Sequence, residues 1–148
     1  MMADDCTREM LDVSPLDDAT IVKLNAELPP FWSHANPVDT VTGAAGDPVQ
    51  IVKALLESPS VDGLIVLGMV GGVDAVFSKL HAGSRETMAE DFARIGMQHF
   101  RSYFQDLMSL RDQYNKPIVA TLSLPISARI VMETAAAVTR ETGTACYT

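Results

Sequence analysis

Two short runs, residues 63–68 (GLIVLG) and 117–122 (PIVATL), constrain this chain more than any other feature. Both are continuously apolar and carry β-branched residues, which is the pattern of a strand covered on both faces. Between them, from about residue 84 to 114, Met88, Phe92, Ile95, His99, Tyr103, Leu107, Leu110 and Tyr114 recur every three or four positions. That spacing predicts one long amphipathic helix. Strands joined through a helix pair in parallel, because a parallel connection needs a crossover.

The flanking segments extend the alternation. Asp47 can cap a helix with Pro48 at its first position; Val49, Val52, Leu55 and Leu56 follow at helical spacing, and Ser58-Pro59 ends it. A further helix is expected from about residue 127 to 141, closed by Gly143, and a weaker strand at TACYT. The order α-β-α-β-α-β predicts an α/β protein: an open parallel sheet with helices on both faces, of flavodoxin or Rossmann type. With 148 residues and 47% hydrophobic composition, a single domain spanning residues 1–148 is expected.

Charge narrows the partners. Nineteen acidic against eleven basic residues give a net charge of -8, which disfavours a nucleic-acid backbone. An anionic small ligand remains compatible, since backbone N–H groups at a helix start hold phosphate without net positive charge. Cys6 and Cys146 lack zinc-site spacing and are too few for a disulfide scaffold, so both are expected as reduced thiols in a cytoplasmic protein. No signal peptide and no membrane span is legible.

Ligands of open α/β sheets sit at the carboxyl ends of strands, where glycine-rich loops let backbone amides approach. Two stretches fit: VTGAAGDP, which leads into the helix at Pro48, and GMVGGVDA, which leaves the first strand. Neither matches a dinucleotide fingerprint or a Walker loop. The candidate ligand or phosphate residues are Asn36, Asp39, Gly43, Gly46, Gly71 and Gly72. Each has a plainer reading: Asn and Asp beside Pro form turns, and glycines supply positive φ.

His34, His81 and His99 are the only imidazoles. His99 falls on the long helix's apolar stripe, His81 has no evident carboxylate orienter, and His34 lies in the loop between residues 29 and 46. Phe31 and Trp32 read as packing that anchors this loop. Asp4 and Asp5 fit the first turn of a helix, and Met69, Met88, Met97 and Met108 fit core or interface positions. No metal site is expected.

LPPFWSHANPVDTVTGAAGDPVQIVKALLESPSVDGLIVLG resembles a stretch of the NDP-forming acyl-CoA synthetases, in the flavodoxin-like domain similar to the C-terminal domain of the succinyl-CoA synthetase β subunit. The resemblance rests on Leu28-Pro29-Pro30, Asn36 to Asp39, Gly46-Asp47-Pro48 and Ser58 to Asp62. It continues through VLGMVGGVDA, Asn115 to Val119 and Gly143 to Tyr147. It implies a three-layer αβα domain whose first strand and glycine-rich turn are missing, so that another chain supplies that strand or the sequence is a fragment. It also implies CoA and ATP or ADP as family substrates, no tightly bound cofactor, and a phosphohistidine on a different domain. No catalytic residue is then expected in this chain. Partners would be other CoA-ligase domains or subunits in a homo- or hetero-oligomer, and the alternative is a noncatalytic flavodoxin-like interaction module.

Overall fold

The computed structural model describes residues 2–40, 46–67, 85–121, 136, 139–140 and 146–147. The chain divides into two compact units, residues 1–62 and 63–148.

Among the described residues the first unit holds three helices: α1 (Met2–Arg8), α2 (Asp18–Glu27) and α3 (Pro48–Leu56). Asp4 and Asp5 occupy the first turn of α1, where their charge complements the helix dipole, and Asp5 pairs with Arg8 at 3.0 Å. The helix at Pro48 begins as its sequence predicts. Asp47 is its N-cap, accepting from the Val49 N–H at 2.9 Å, and Pro48 needs no donor of its own.

α2 packs on α3. Leu24 is fully buried on α2, with Thr20 one turn before it and Leu28 one turn after. On α3 the buried positions are Ile51, Val52, Ala54, Leu55 and Leu56, a wider face than the expected stripe, in which Val49 is only half-buried. The Lys23 ammonium donates to Glu57 at 2.7 Å from the rim of this contact, where solvent keeps such a pair to about 0–1 kcal/mol. Burial of the aliphatic side chains is the larger contribution.

The second unit is built on a parallel sheet. Among the described residues it contains β1 (Leu64–Val66), β2 (Ile118–Thr121) and β3 (Cys146–Tyr147), in the spatial order β1-β2-β3. Leu64 pairs with Ile118, Ile65 with Val119 and Val66 with Ala120; Ala120 and Thr121 then pair with Cys146 and Tyr147. The connection from β1 to β2 carries α4 (Arg85–Tyr114), a 30-residue helix. Helices and a parallel sheet make this an α/β chain, as the alternation predicts. The helix expected at 127–141 falls largely outside the described residues; Ala136, Thr139 and Arg140 are helical.

Two close backbone approaches fix the start of the sheet. The Leu64 N–H donates to the Pro117 carbonyl at 2.9 Å, and a Cβ on Gly63 would lie 3.0 Å from Pro117 Cγ. Pro117 sits just before β2, where its missing donor costs the ladder nothing. Asn115, at φ 49°, makes the left-handed turn that ends α4 and hands the chain to β2, a conformation Asn tolerates.

One expectation is corrected here. β2 is covered as predicted, with Ile118 and Ala120 buried, but Ile65 on β1 is 41% exposed and Leu67 just beyond it 50%. Continuous apolarity therefore does not mean that both faces of β1 are covered. On α4 the stripe positions Leu107 and Leu110 are buried and Tyr103 and Tyr114 half-buried, with Phe104 and Met108 widening the buried face; the stripe's side chains at 88, 92, 95 and 99 lie outside the described ones.

Leu24→Ala should leave a cavity between α2 and α3 and lower stability by about 2–5 kcal/mol. Urea denaturation checks this, with an unchanged dependence on denaturant if the native state stays intact.

Candidate functional site

The loop that joins α2 to α3 carries most of the residues singled out by sequence. Its entry is built from local hydrogen bonds. The Leu28 N–H closes α2 on the Leu24 carbonyl at 2.8 Å, and the Trp32 N–H bonds the Pro29 carbonyl at 3.0 Å. Trp32 is 2% exposed, and its indole N–H donates to Asn25 Oδ1 at 2.8 Å, so a large ring is buried with its one polar atom satisfied. His34 stacks on that indole with ring centroids 4.6 Å apart and takes a left-handed backbone, φ 51°.

Trp32 thus anchors the loop as expected, whereas Phe31 does not, being 74% exposed. The indole's anchoring is what positions His34. Its imidazole itself is exposed.

Asn36 precedes a cis peptide bond to Pro37, and its amide Nδ2 donates to the Ser14 carbonyl at 2.9 Å. The side chain therefore ties the loop to the segment before α2. Asp39 is exposed. Gly46, at the far end of the loop, lies against the last turn of α2: an added Cβ would overlap the Glu27 carbonyl oxygen. Close by, the Asp47 N–H donates to a Glu27 carboxylate oxygen at 3.2 Å. Glycine is required at 46 by this approach of backbone to backbone. Gly43, Gly71, Gly72 and His81 lie outside the described residues, so of the candidate ligand residues the structure describes Asn36, Asp39 and Gly46, all in the first unit.

Sequence reasoning passed over a polar cluster at the base of this unit. Asp17 is the N-cap of α2 and accepts from the Thr20 N–H at 2.8 Å and the Thr20 hydroxyl at 2.9 Å. The Ser58 hydroxyl, just past the end of α3, donates to the same carboxylate. Ser58 in turn lies 2.9 Å from the Ser60 hydroxyl, and Thr20 and Ser58 are each 2% exposed. The Ser58 hydrogen bond, followed by those from Thr20, lowers the Asp17 pKa from 3.8 to about 2. The one signal in the sequence was local: Asp17 three residues before Thr20 is an N-cap spacing.

Among the described residues no group of three or more His, Cys, Asp or Glu side chains could hold a metal ion. No described helix is long and apolar enough to cross a membrane. In the second unit, Arg111, Asp112, Asn115, Lys116 and Pro117 line a shallow, open hollow of about 370 Å³ at the end of α4. None of the candidate ligand residues lines it, and Asp112 engages the Arg111 guanidinium through Nε and Nη2, both at 2.9 Å. Comparison with protein-family models, with curated proteins and with solved structures gave no match.

Two outcomes test this geometry. Gly46→Ala should lower Tm, because the Glu27 carbonyl must move to admit the methyl group. A depressed carboxyl pKa stabilises the fold above the unfolded value and loses that effect on acidification, so the Asp17 contribution should be complete above about pH 4 and fade towards pH 2. A carbon-detected carboxylate titration should find Asp17 titrating near its folded value and moving up towards 3.8 in Ser58→Ala.

Proposed function

We propose that this chain is a flavodoxin-like, three-layer domain of an NDP-forming acyl-CoA synthetase. It supplies structural and anion-binding surface to a reaction whose phosphohistidine is carried on another domain. The observation that carries the proposal is the sheet. Its parallel strands follow one another in the order β1-β2-β3, with β1 and β2 joined through a helix. In the flavodoxin-like order 2-1-3-4-5, the strands on one side of the switch point are likewise sequential. The sequence resemblance runs across both units, and its Asn-Lys-Pro element falls at the turn from α4 into β2.

In this reading GMVGGVDA, with Gly71 and Gly72, follows the carboxyl end of β1, the place where such sheets hold ligands. CoA and ATP or ADP are the family substrates, and other CoA-ligase domains or subunits are the partners.

A second reading, a noncatalytic subunit-interaction module, draws on a separate observation. Asn36 is engaged by Ser14 and Gly46 is pressed on Glu27, so these two candidates already have structural work in the first unit.

Thermal shift of the purified chain with CoA, with ADP and with inorganic phosphate separates the two. A saturable rise with CoA or phosphate is expected for the ligase domain, since a ligand at about a hundred times its Kd adds about 2.7 kcal/mol. Gly72→Val should reduce that rise. A folded chain indifferent to all three ligands would overturn the ligase reading and leave the interaction module.

A further inference from the structure

We infer that the bond from Asp62 to Gly63 is a site of spontaneous isomerisation, in which the main chain is rerouted through the aspartate side chain and lengthened just ahead of β1. The inference stands apart from the ligase reading. Asp62-Gly63 is the only Asp-Gly pair in the 148 residues, and no Asn-Gly occurs. Both residues are exposed. Among the described residues, neither the Asp62 carboxylate nor the Gly63 N–H takes part in a hydrogen bond or ion pair. The nitrogen that attacks and the carboxyl carbon that is attacked are therefore both free.

Packing explains why a glycine stands there. A Cβ at position 63 would lie 3.0 Å from Pro117 Cγ and 3.2 Å from the Pro117 carbonyl oxygen, so any other residue would crowd the start of the sheet. With no side chain of its own, Gly63 leaves its nitrogen unshielded beside Asp62. Asp17 and Asp47 are held differently. The Asp17 carboxylate is engaged by Thr20 and Ser58, and Asp47 caps α3 and is followed by Pro48, which has no N–H to lose.

In the first step the Gly63 nitrogen attacks Asp62 Cγ. A C–N bond forms, the Cγ–O bond to the carboxyl hydroxyl breaks, and that hydroxyl leaves with the amide proton as water. The product is a five-membered cyclic imide, whose closure is favoured because both groups lie on one short stretch of chain. In the second step water adds back. Opening at Cγ restores aspartate, whereas opening at the original main-chain carbonyl carbon turns that carbon into a free carboxylate and runs the chain through Cβ and Cγ. The mass is unchanged and no oxidant or reductant takes part. The isoaspartyl form adds one methylene to the backbone directly before Gly63, while the next residue, Leu64, must still donate to the Pro117 carbonyl at 2.9 Å. The change therefore disturbs the start of the pairing between β1 and β2. Its new carboxylate belongs to the chemical class accepted by carboxyl methyltransferases that use S-adenosylmethionine.

Incubation of the full chain at neutral pH and physiological temperature tests the site. Isoaspartate is followed by methyl transfer from labelled S-adenosylmethionine with an isoaspartyl carboxyl methyltransferase, and electron-transfer fragmentation of the tryptic peptide 54–79 separates Asp62 from Asp74. Isoaspartate is expected at position 62 at a rate within about tenfold of that in the chain unfolded in urea, since an open site has no local unfolding to wait for. Asp62→Glu keeps the charge at an exposed position and should remove the signal, because a six-membered imide closes far more slowly. The isomerised form, separated by ion exchange, should melt below the parent. Absence of isoaspartate at 62 in the native chain, whether or not the unfolded chain accumulates it, would overturn the proposal. So would methyl acceptance undiminished in Asp62→Glu, or an isomerised form that melts with the parent.

Discussion

The Asp17 carboxylate is the point from which the first unit is organised. One side chain ends the extended segment before α2, supplies the acceptor for the first turn of that helix, and receives the Ser58 hydroxyl from beyond α3. The beginning of one helix and the end of the other are therefore fixed to a single anion. Because Thr20 and Ser58 are buried, water does not readily replace these donors, and the hydrogen bonds hold the carboxylate in its charged form. Beside this cluster α2 packs on α3, with Leu24 fully buried.

The loop above this cluster has the opposite character. It is held by several modest contacts along its length: the buried Trp32 indole on Asn25, Asn36 on Ser14, and Gly46 on Glu27. Each contact returns the loop to α2 or to the segment before it. A chain that leaves α2 and must come back to cap α3 needs a small residue where it crosses the end of α2, and Gly46 meets that need. Its place in a glycine-rich stretch is explained by helix packing.

What was legible in the sequence was local. Asp47-Pro48 announces the start of α3 because both the cap and the proline act within one turn. Asn115-Lys116-Pro117 announces the end of α4 for the same reason. The parallel sheet was legible from two apolar runs separated by one long helical period. α2 was harder to see, since its segment DATIVKLNAE interleaves Thr20 and Leu24 with charged residues and its inward face is narrow. The bond between Asp17 and Ser58 joins residues 41 apart, and no short-range pattern contains it. Asn36 was legible as a turn former, but its Ser14 partner was not, being 22 residues away on a backbone carbonyl that any residue could supply.

The exposed Ile65 and Leu67 show the limit of reading burial from composition. Strand runs record the residues' preference for an extended backbone as well as for a dry environment, and β-branched side chains satisfy the first even where the second fails. β1 and β2 read alike as sequences, yet β2 lies between two parallel neighbours and keeps Ile118 and Ala120 covered, whereas Ile65 meets solvent. On α4 the period established a helix, and Phe104 and Met108 widen the buried face beyond the stripe positions Leu107 and Leu110. Helical periodicity locates apolar positions, and the packing partners decide how wide a face is buried around them.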